Sequence, residues 1–194
     1  MSRESILKHV GKLSNKKTKD TSLFCGVRIR HSYRSIYVME NMLDILMPER
    51  IVELGTWRGG LTLFLDAWAR ANDAVVLSID SVDLMSEKTR SLVSIGPTTT
   101  FLKADAFGKG CFEEVQKFIN GHCCLVYCDD GNKEKELVKY CEIIPPGSII
   151  GCHDYTVEVR PERIPRMFQP DFVPLLTLEQ LKSIVNLQQF WLKV

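Results

Sequence analysis

The 194-residue chain has no apolar run approaching the length of a membrane span, so no membrane partner is expected. Its first residues mix charges with short apolar pieces and lack a secretory-signal pattern, which points to a cytoplasmic protein. Neither sign of charge is in excess: 25 Lys and Arg stand against 24 Asp and Glu, a formal net charge of +1. That balance supplies no general attraction to nucleic acid, and none is expected as a partner. The seven cysteines (Cys25, Cys111, Cys123, Cys124, Cys128, Cys141, Cys152) contain no C-x-x-C pair, which argues against zinc-site and thioredoxin-type readings. Their odd number and apolar settings fit buried free thiols in a reducing compartment. No G-x-G-x-x-G or G-x-x-x-x-G-K-[ST] follows any strand-like run, which weakens dinucleotide and P-loop readings. Internal repeats and low-complexity tracts are also missing.

A hydrophobic content of 45% and a charged content of 25% are ordinary for one globular domain of this length. The first twenty residues are locally basic, with Ile6, Leu7, Val10 and Leu13 at helical spacing, and read as a solvated arm or a lid. A second helix is expected over Tyr33–Met47, ended by Pro48. These 47 residues read as an N-terminal helical arm or lid, and residues 48–194 as the main body of a single globular domain.

From there the pattern alternates. Strands are expected at Arg50–Leu54, Ala74–Ile79, Thr98–Leu102, Cys123–Cys128 and Ser148–Cys152. Helices are expected at Gly60–Ala71, Met85–Ser94, Lys109–Asn120 and Lys133–Ile143. Continuous apolar strands separated by helices predict a doubly wound, mostly parallel α/β sheet covered on both faces. Two last strands, Phe172–Leu176 and Gln189–Val194, around a helix near Leu178–Val185, would complete seven strands with an antiparallel end.

The richest segment is Ile51-Val52-Glu53-Leu54-Gly55-Thr56-Trp57-Arg58-Gly59-Gly60. It reads as a strand ending in a carboxylate, a glycine turn and a helix start, where backbone N–H groups can approach a ligand. In an open parallel sheet, ligands bind beyond the carboxyl ends of the strands. Every one of those ends carries an acidic group here: Glu53, then Asp80-Ser81, Ala104-Asp105, Asp129-Asp130 and His153-Asp154. Any one alone is more often a cap or loop residue, but the series converges on one edge. Asp80 is placed to accept hydrogen bonds from both hydroxyls of a ribose.

The order Glu53-x-Gly55-x-x-x-Gly59, Asp80, Ala104-Asp105, Asp129 resembles the class I S-adenosylmethionine-dependent methyltransferases over residues 48–155. Trp57-Arg58-Gly59-Gly60, Asp129-Asp130-Gly131 and Pro146–Tyr155 are similar to a metal-dependent O-methyltransferase branch. That branch includes cephalosporin hydroxylase-like proteins and rhamnosyl and macrolide O-methyltransferases, with catechol and caffeoyl-CoA enzymes further off. The resemblance implies that Glu53, Gly55 and Gly59 hold the methionine part of S-adenosylmethionine, Asp80 the ribose, and Ala104 and Asp105 the adenine edge, with Thr56 and Ser81 as further cofactor-binding residues. It implies that Asp129 also touches the cofactor and that Asp129, His153 and Asp154 are metal ligands for Mg²⁺ or Mn²⁺. Adjacent strands lie about 4.8 Å apart, so groups ending two of them can share a cation. Lys133 and His153 are the candidate catalytic bases. The expected reaction is methyl transfer to a hydroxyl of a small acceptor, a sugar or natural product. The rival is a non-catalytic binder of the same cofactor, with His153 and Asn132 marking a decayed site. A homodimer is compatible with the sequence.

Overall fold

The computed structural model describes residues 21–93, 97–164, 171–176 and 188–194. The arm helix around Ile6–Leu13 and the helix near Leu178–Val185 lie outside them. The described chain opens with a hairpin that the sequence reading did not anticipate: β1 (Ser22–Phe24) and β2 (Val27–Ile29), antiparallel. Cys25 and Gly26 turn it with φ of 48° and 77°, the pair of positive angles that suits a two-residue hairpin loop. Phe24 packs edge-on against Phe64, ring centroids 5.8 Å apart, so the hairpin is seated on the body of the fold.

Helix α1 (Tyr33–Leu46) starts at Ser32, whose hydroxyl accepts the Ser35 N–H at 3.2 Å. It ends where Met47 turns left-handed and its N–H reaches the Leu43 carbonyl, just before Pro48. Then follow β3 (Arg50–Leu54), α2 (Gly60–Ala71), β4 (Val75–Asp80), α3 (Glu87–Val93), β5 (Thr99–Lys103), α4 (Lys109–Ile119), β6 (Cys124–Cys128), α5 (Lys133–Cys141) and β7 (Ile149–Cys152). The last strands are β8 (Phe172–Pro174) and β9 (Gln189–Lys193).

The seven-stranded sheet has the order β5-β4-β3-β6-β7-β9-β8. β3 to β7 are parallel, while β9 runs antiparallel to both β7 and β8, as the sequence predicts. Alternate residues of the inner strands feed two cores. Val52, Leu54, Val126 and Ile150 meet α4 and α5 through Val115, Ile119, Leu137 and Tyr140. Ile51, Leu125 and Ile149 meet the other layer through Ile29, Met39, Leu43 and Leu65. The segment before residue 48 therefore contributes fully buried side chains, Met39 and Leu43 among them, to the main core. All seven cysteines are free; Cys124, Cys128 and Cys152 are buried in the central strands, and Cys123 is half-buried at the start of its run. No helix among the described residues is long and apolar enough to cross a membrane.

Candidate active site

The chain order reverses direction across the sheet between β3 and β6, and this switch point is where a doubly wound fold opens a crevice. Leu54 pairs with Ile79 on one side and Cys128 on the other, and Cys128 pairs with Cys152. The next residue of each strand therefore lies in one row: Gly55, Asp80, Asp129 and His153. Asp129 N–H donates to the Leu54 carbonyl at 2.8 Å and Gly55 N–H to the Ile79 carbonyl at 2.8 Å. Gly55 has φ of 99°, and a Cβ there would sit 2.6 Å from the Asp129 carbonyl oxygen. Only glycine lets the turn and the end of β6 come this close. Gly59 caps α2 with φ of 76°, and a Cβ there would press on Met85 and Thr89.

The carboxylates of the first two strand ends do different jobs. Glu53 is fully buried beneath α2; one oxygen accepts from Ser78 at 2.5 Å and Thr62 at 2.6 Å, and the other has no partner. Burial pushes its pKa up to about 7, against the pull of those two hydroxyls. Thr56 is turned inward onto the same network, its hydroxyl 2.6 Å from Ser78. What it can offer a ligand in this conformation is backbone. Asp80 accepts the Trp57 N–H at 2.8 Å and the Val82 N–H at 2.9 Å, so it ties the glycine turn to the end of β4 and keeps one free lone pair per oxygen. Ser81 and Asp105 are exposed at the rim. Asp105 accepts from the Phe107 N–H at 2.9 Å, and Ala104 N–H donates to the Asp80 carbonyl at 3.0 Å.

Beyond β6 and β7 lies a denser cluster. Asp129 Oδ2 is 3.2 Å from His31 Nε2, and Oδ1 is 3.6 Å from His153 Nδ1. Asp154 closes on His153 Nδ1 at 3.2 Å and on Lys133 Nζ at 3.3 Å. Lys133 also meets Glu158 at 2.8 Å, Asp129 at 3.8 Å and the Asp130 carbonyl at 3.1 Å. Burial acts to lower the Lys133 pKa, but the Glu158 hydrogen bond and the surrounding carboxylates outweigh it and leave it raised. The lysine is thus held charged by its carboxylate partners. The hydrogen bond from His153 draws Asp154 down to about 2. Burial holds the Asp129 pKa well above the usual carboxylate range, with Lys133 opposing. Burial, and His153 after it, drive the His31 pKa well down, which favours neutral imidazole. Asn132 caps α5 by accepting the Lys135 N–H, and buried Glu136 accepts from Asn132 and Asp130, so this turn is fixed from within the helix.

Residues 16–180 match the model of the rhamnosyl O-methyltransferase/CmcI family. The chain belongs to this family. It is accordingly an S-adenosylmethionine-dependent methyltransferase. No functionally curated protein matches the sequence. Among solved structures, the apo form of CmcI superposes with a TM-score of 0.68 at 16% identity, over 89% of this chain and 76% of that one. A magnesium and S-adenosylmethionine form of CmcI gives 0.65 at 18% identity, over the same shares. A Staphylococcus aureus protein assigned as a caffeoyl-CoA O-methyltransferase gives 0.61 at 12% identity, over 100% of this chain and 93% of that one. At such identities these structures bear on the fold.

The structure thus brings Gly55, Asp80, Asp129, Lys133, His153 and Asp154 to one edge, with Glu53 and Thr56 just beneath it. Sequence reasoning did not connect Tyr127 or Glu158 with the site, and did not bring His31 together with Asp129 and His153. His31 sits between β2 and α1, and its ring lies over the end of β6, 3.4 Å from the Tyr127 hydroxyl. A histidine immediately before a Ser N-cap was the one available signal, and it does not tell which strand end the ring will face.

Proposed function

We propose that this family member transfers the methyl group of S-adenosylmethionine to a hydroxyl of a small acceptor, a sugar or natural product. The observation that carries this reading is the row Gly55, Asp80, Asp129 and His153 at the switch point, above the buried Glu53. Asp80, with its free lone pairs, takes the ribose hydroxyls, flanked by Ser81; Ala104 and Asp105 edge the adenine. Gly55, Thr56 and Gly59 present backbone to the methionine part, and the unpartnered Glu53 oxygen is the acceptor for its ammonium.

Methyl transfer is an in-line displacement: a C–O bond forms as the C–S⁺ bond breaks, the thioether leaves, and the hydroxyl proton passes to a base, which in the metal-free site is the free ring nitrogen of His153. Positioning accounts for most of the rate. Lys133 holds Asp154 and Glu158 in place and with them the loop after β7. Asp129 and Asp154 flank His153 Nδ1, which fixes the ring and leaves its other nitrogen one lone pair, a base in the metal-free site and a ligand atom when an ion is bound. His31, with one nitrogen 3.2 Å from Asp129 and the other buried without a partner, groups with Asp129 and His153 in an arrangement that fits a cation, and Asp129 and His153 are residues that would hold a divalent ion. Such an ion supplies Lewis acidity that lowers the pKa of a bound hydroxyl.

The test is calorimetry with S-adenosylhomocysteine and NAD⁺, followed by methyl-transfer assays on a panel of hydroxylated acceptors. Micromolar-range binding of S-adenosylhomocysteine and none of NAD⁺ is expected, with transfer to a hydroxyl. Preference for NAD⁺ would overturn the reading.

A further inference from the structure

The ligand set expected from the sequence was Asp129, His153 and Asp154. The structure assembles a different trio. His31, Asp129 and His153 each offer a donor atom, and these atoms lie within 4.8 Å of one another. The two imidazole rings have centroids 4.1 Å apart. Asp154 is committed elsewhere, one oxygen to His153 and the other to Lys133.

We infer that this chain carries a cation site of two imidazoles and one carboxylate, His31, His153 and Asp129, that selects a first-row transition ion over Mg²⁺. Magnesium is a hard ion that takes oxygen ligands in near-ideal octahedral geometry and gives up its water reluctantly. Imidazole nitrogen suits zinc, iron, cobalt and nickel, and a two-histidine, one-carboxylate set with open positions is a transition-metal arrangement. Two of three donors here are nitrogen, so the donor set does not fit magnesium.

Two further observations support the site. His31 is only 2% exposed, yet its Nδ1 is buried without a hydrogen-bond partner. A ring buried for packing alone would carry that unpaired nitrogen as a pure cost; a ring recruited as a ligand has a reason to be there. The local charge also leaves room for a dication. Lys133 is one ammonium facing three carboxyl groups, Asp129, Asp154 and Glu158, so once Asp129 is ionised, as a ligand must be, the excess is two negative charges. Lys133 thereby holds Asp154 away from the cation and acts as a positioning residue. Three protein donors leave the remaining positions of the ion for water or acceptor oxygens. The role in hydroxyl binding rests on the methyltransferase reading; the site itself does not.

The experiment uses the untagged full chain, stripped with a chelator and dialysed. Co²⁺, Zn²⁺, Mn²⁺ and Mg²⁺ are titrated as the metals alone, by calorimetry and, for Co²⁺, by visible absorption. One equivalent of Co²⁺ is expected to bind with visible d–d bands that Zn²⁺ abolishes, while Mg²⁺ binds at least about 100-fold more weakly than Zn²⁺. His31→Ala and His31→Gln should each weaken Co²⁺ binding by more than about 100-fold, beyond what loss of a residue that merely orients a ligand causes, and should alter the bands. Asp154→Asn should change the affinity less than about tenfold. Circular dichroism and S-adenosylhomocysteine affinity of the same variants report folding. Mg²⁺ binding as tightly as Zn²⁺, or Co²⁺ affinity that survives in a folded His31 variant while Asp154→Asn abolishes it, overturns the inference. Retained S-adenosylhomocysteine binding in that case leaves the methyltransferase reading standing, whereas its absence from the wild-type chain removes that reading and not the metal site.

Discussion

The backbone of Gly55 lies so close to Asp129 that a methyl group on Gly55 would stand 2.6 Å from the Asp129 carbonyl oxygen and 2.8 Å from the Asp130 nitrogen. This contact joins the glycine turn after β3 to the end of β6, the two sides of the crevice. Gly55→Ala meets both a backbone clash and a φ of 99°. The expected loss of stability is about 3 kcal/mol or more, from strained backbone and overpacking together. Urea unfolding measures it. A fully stable variant that still binds S-adenosylhomocysteine would show that the turn can relax without its glycine.

Asp80 is both a ribose acceptor in the proposed complex and a fastener of the ligand-free turn, through the Trp57 and Val82 N–H groups. Asp80→Ala should weaken S-adenosylhomocysteine binding by about 1–3 kcal/mol, the value of hydrogen bonds to a charged group. Calorimetry reads this directly. Because Trp57 loses its anchor as well, the turn should exchange its amide hydrogens faster in the variant even without ligand. Unchanged affinity would take Asp80 out of the site.

The strands and helices of the main body were legible because β3, β4, β6 and β7 are buried on both faces and read as apolar runs with helical spacing between them. Arg50–Leu54 and Gly60–Ala71 appear with the expected bounds, and the other inner elements differ by a residue or two at the ends. The acidic strand ends were legible as a series for the same reason: register in a parallel sheet brings the residue after each strand to one edge. The hairpin was not, since two three-residue strands joined at Cys25-Gly26 leave too short a period to read. Side-chain direction was not legible either. Thr56 lies in the glycine turn by position, yet its hydroxyl faces inward because Ser78 and Thr62 make a buried polar network there. His31 joins Asp129 only through the way the hairpin folds α1 against the sheet, which no local pattern encodes.

Lys133 sits where a sequence reading offers a general base, but it is 6% exposed and surrounded by carboxylates. Lys133→Met is expected to lower stability by about 2–3 kcal/mol, below the full cost of breaking a buried pair because Glu158 is half exposed and screened by water. Methyl transfer should fall at least about tenfold through kcat, with S-adenosylhomocysteine affinity nearly unchanged. Lys133→Arg should restore stability in part, since a charge remains. If Lys133→Arg is fully inactive and its pH–rate profile loses a basic limb present in wild type, the lysine is a base after all.

Glu53 offers a test in which pH decides the outcome. Its folded-state pKa is raised from 4.5 to about 7, chiefly by burial. A carboxyl raised on folding binds more protons in the native than in the unfolded state between those two values. Stability attributable to Glu53 therefore falls as pH rises from about 4.5 to about 7 and stays low above that. Glu53→Gln keeps an oxygen for the Ser78 and Thr62 hydroxyls and cannot ionise. The ligand-free variant should be more stable than wild type at pH 8, by about 3 kcal/mol at most, the equivalent of the shift, and the gain should shrink towards zero near pH 5. Buried Glu136, also raised to about 7, adds a like slope to wild type and variant alike, so the difference between them isolates Glu53. The same substitution should weaken S-adenosylhomocysteine binding, because the amide offers no negative oxygen to the ammonium of the ligand. A variant stabilised equally at pH 5 and pH 8 would mean that the Glu53 pKa is the same in the folded and unfolded chain, and would overturn the effect of burial argued here.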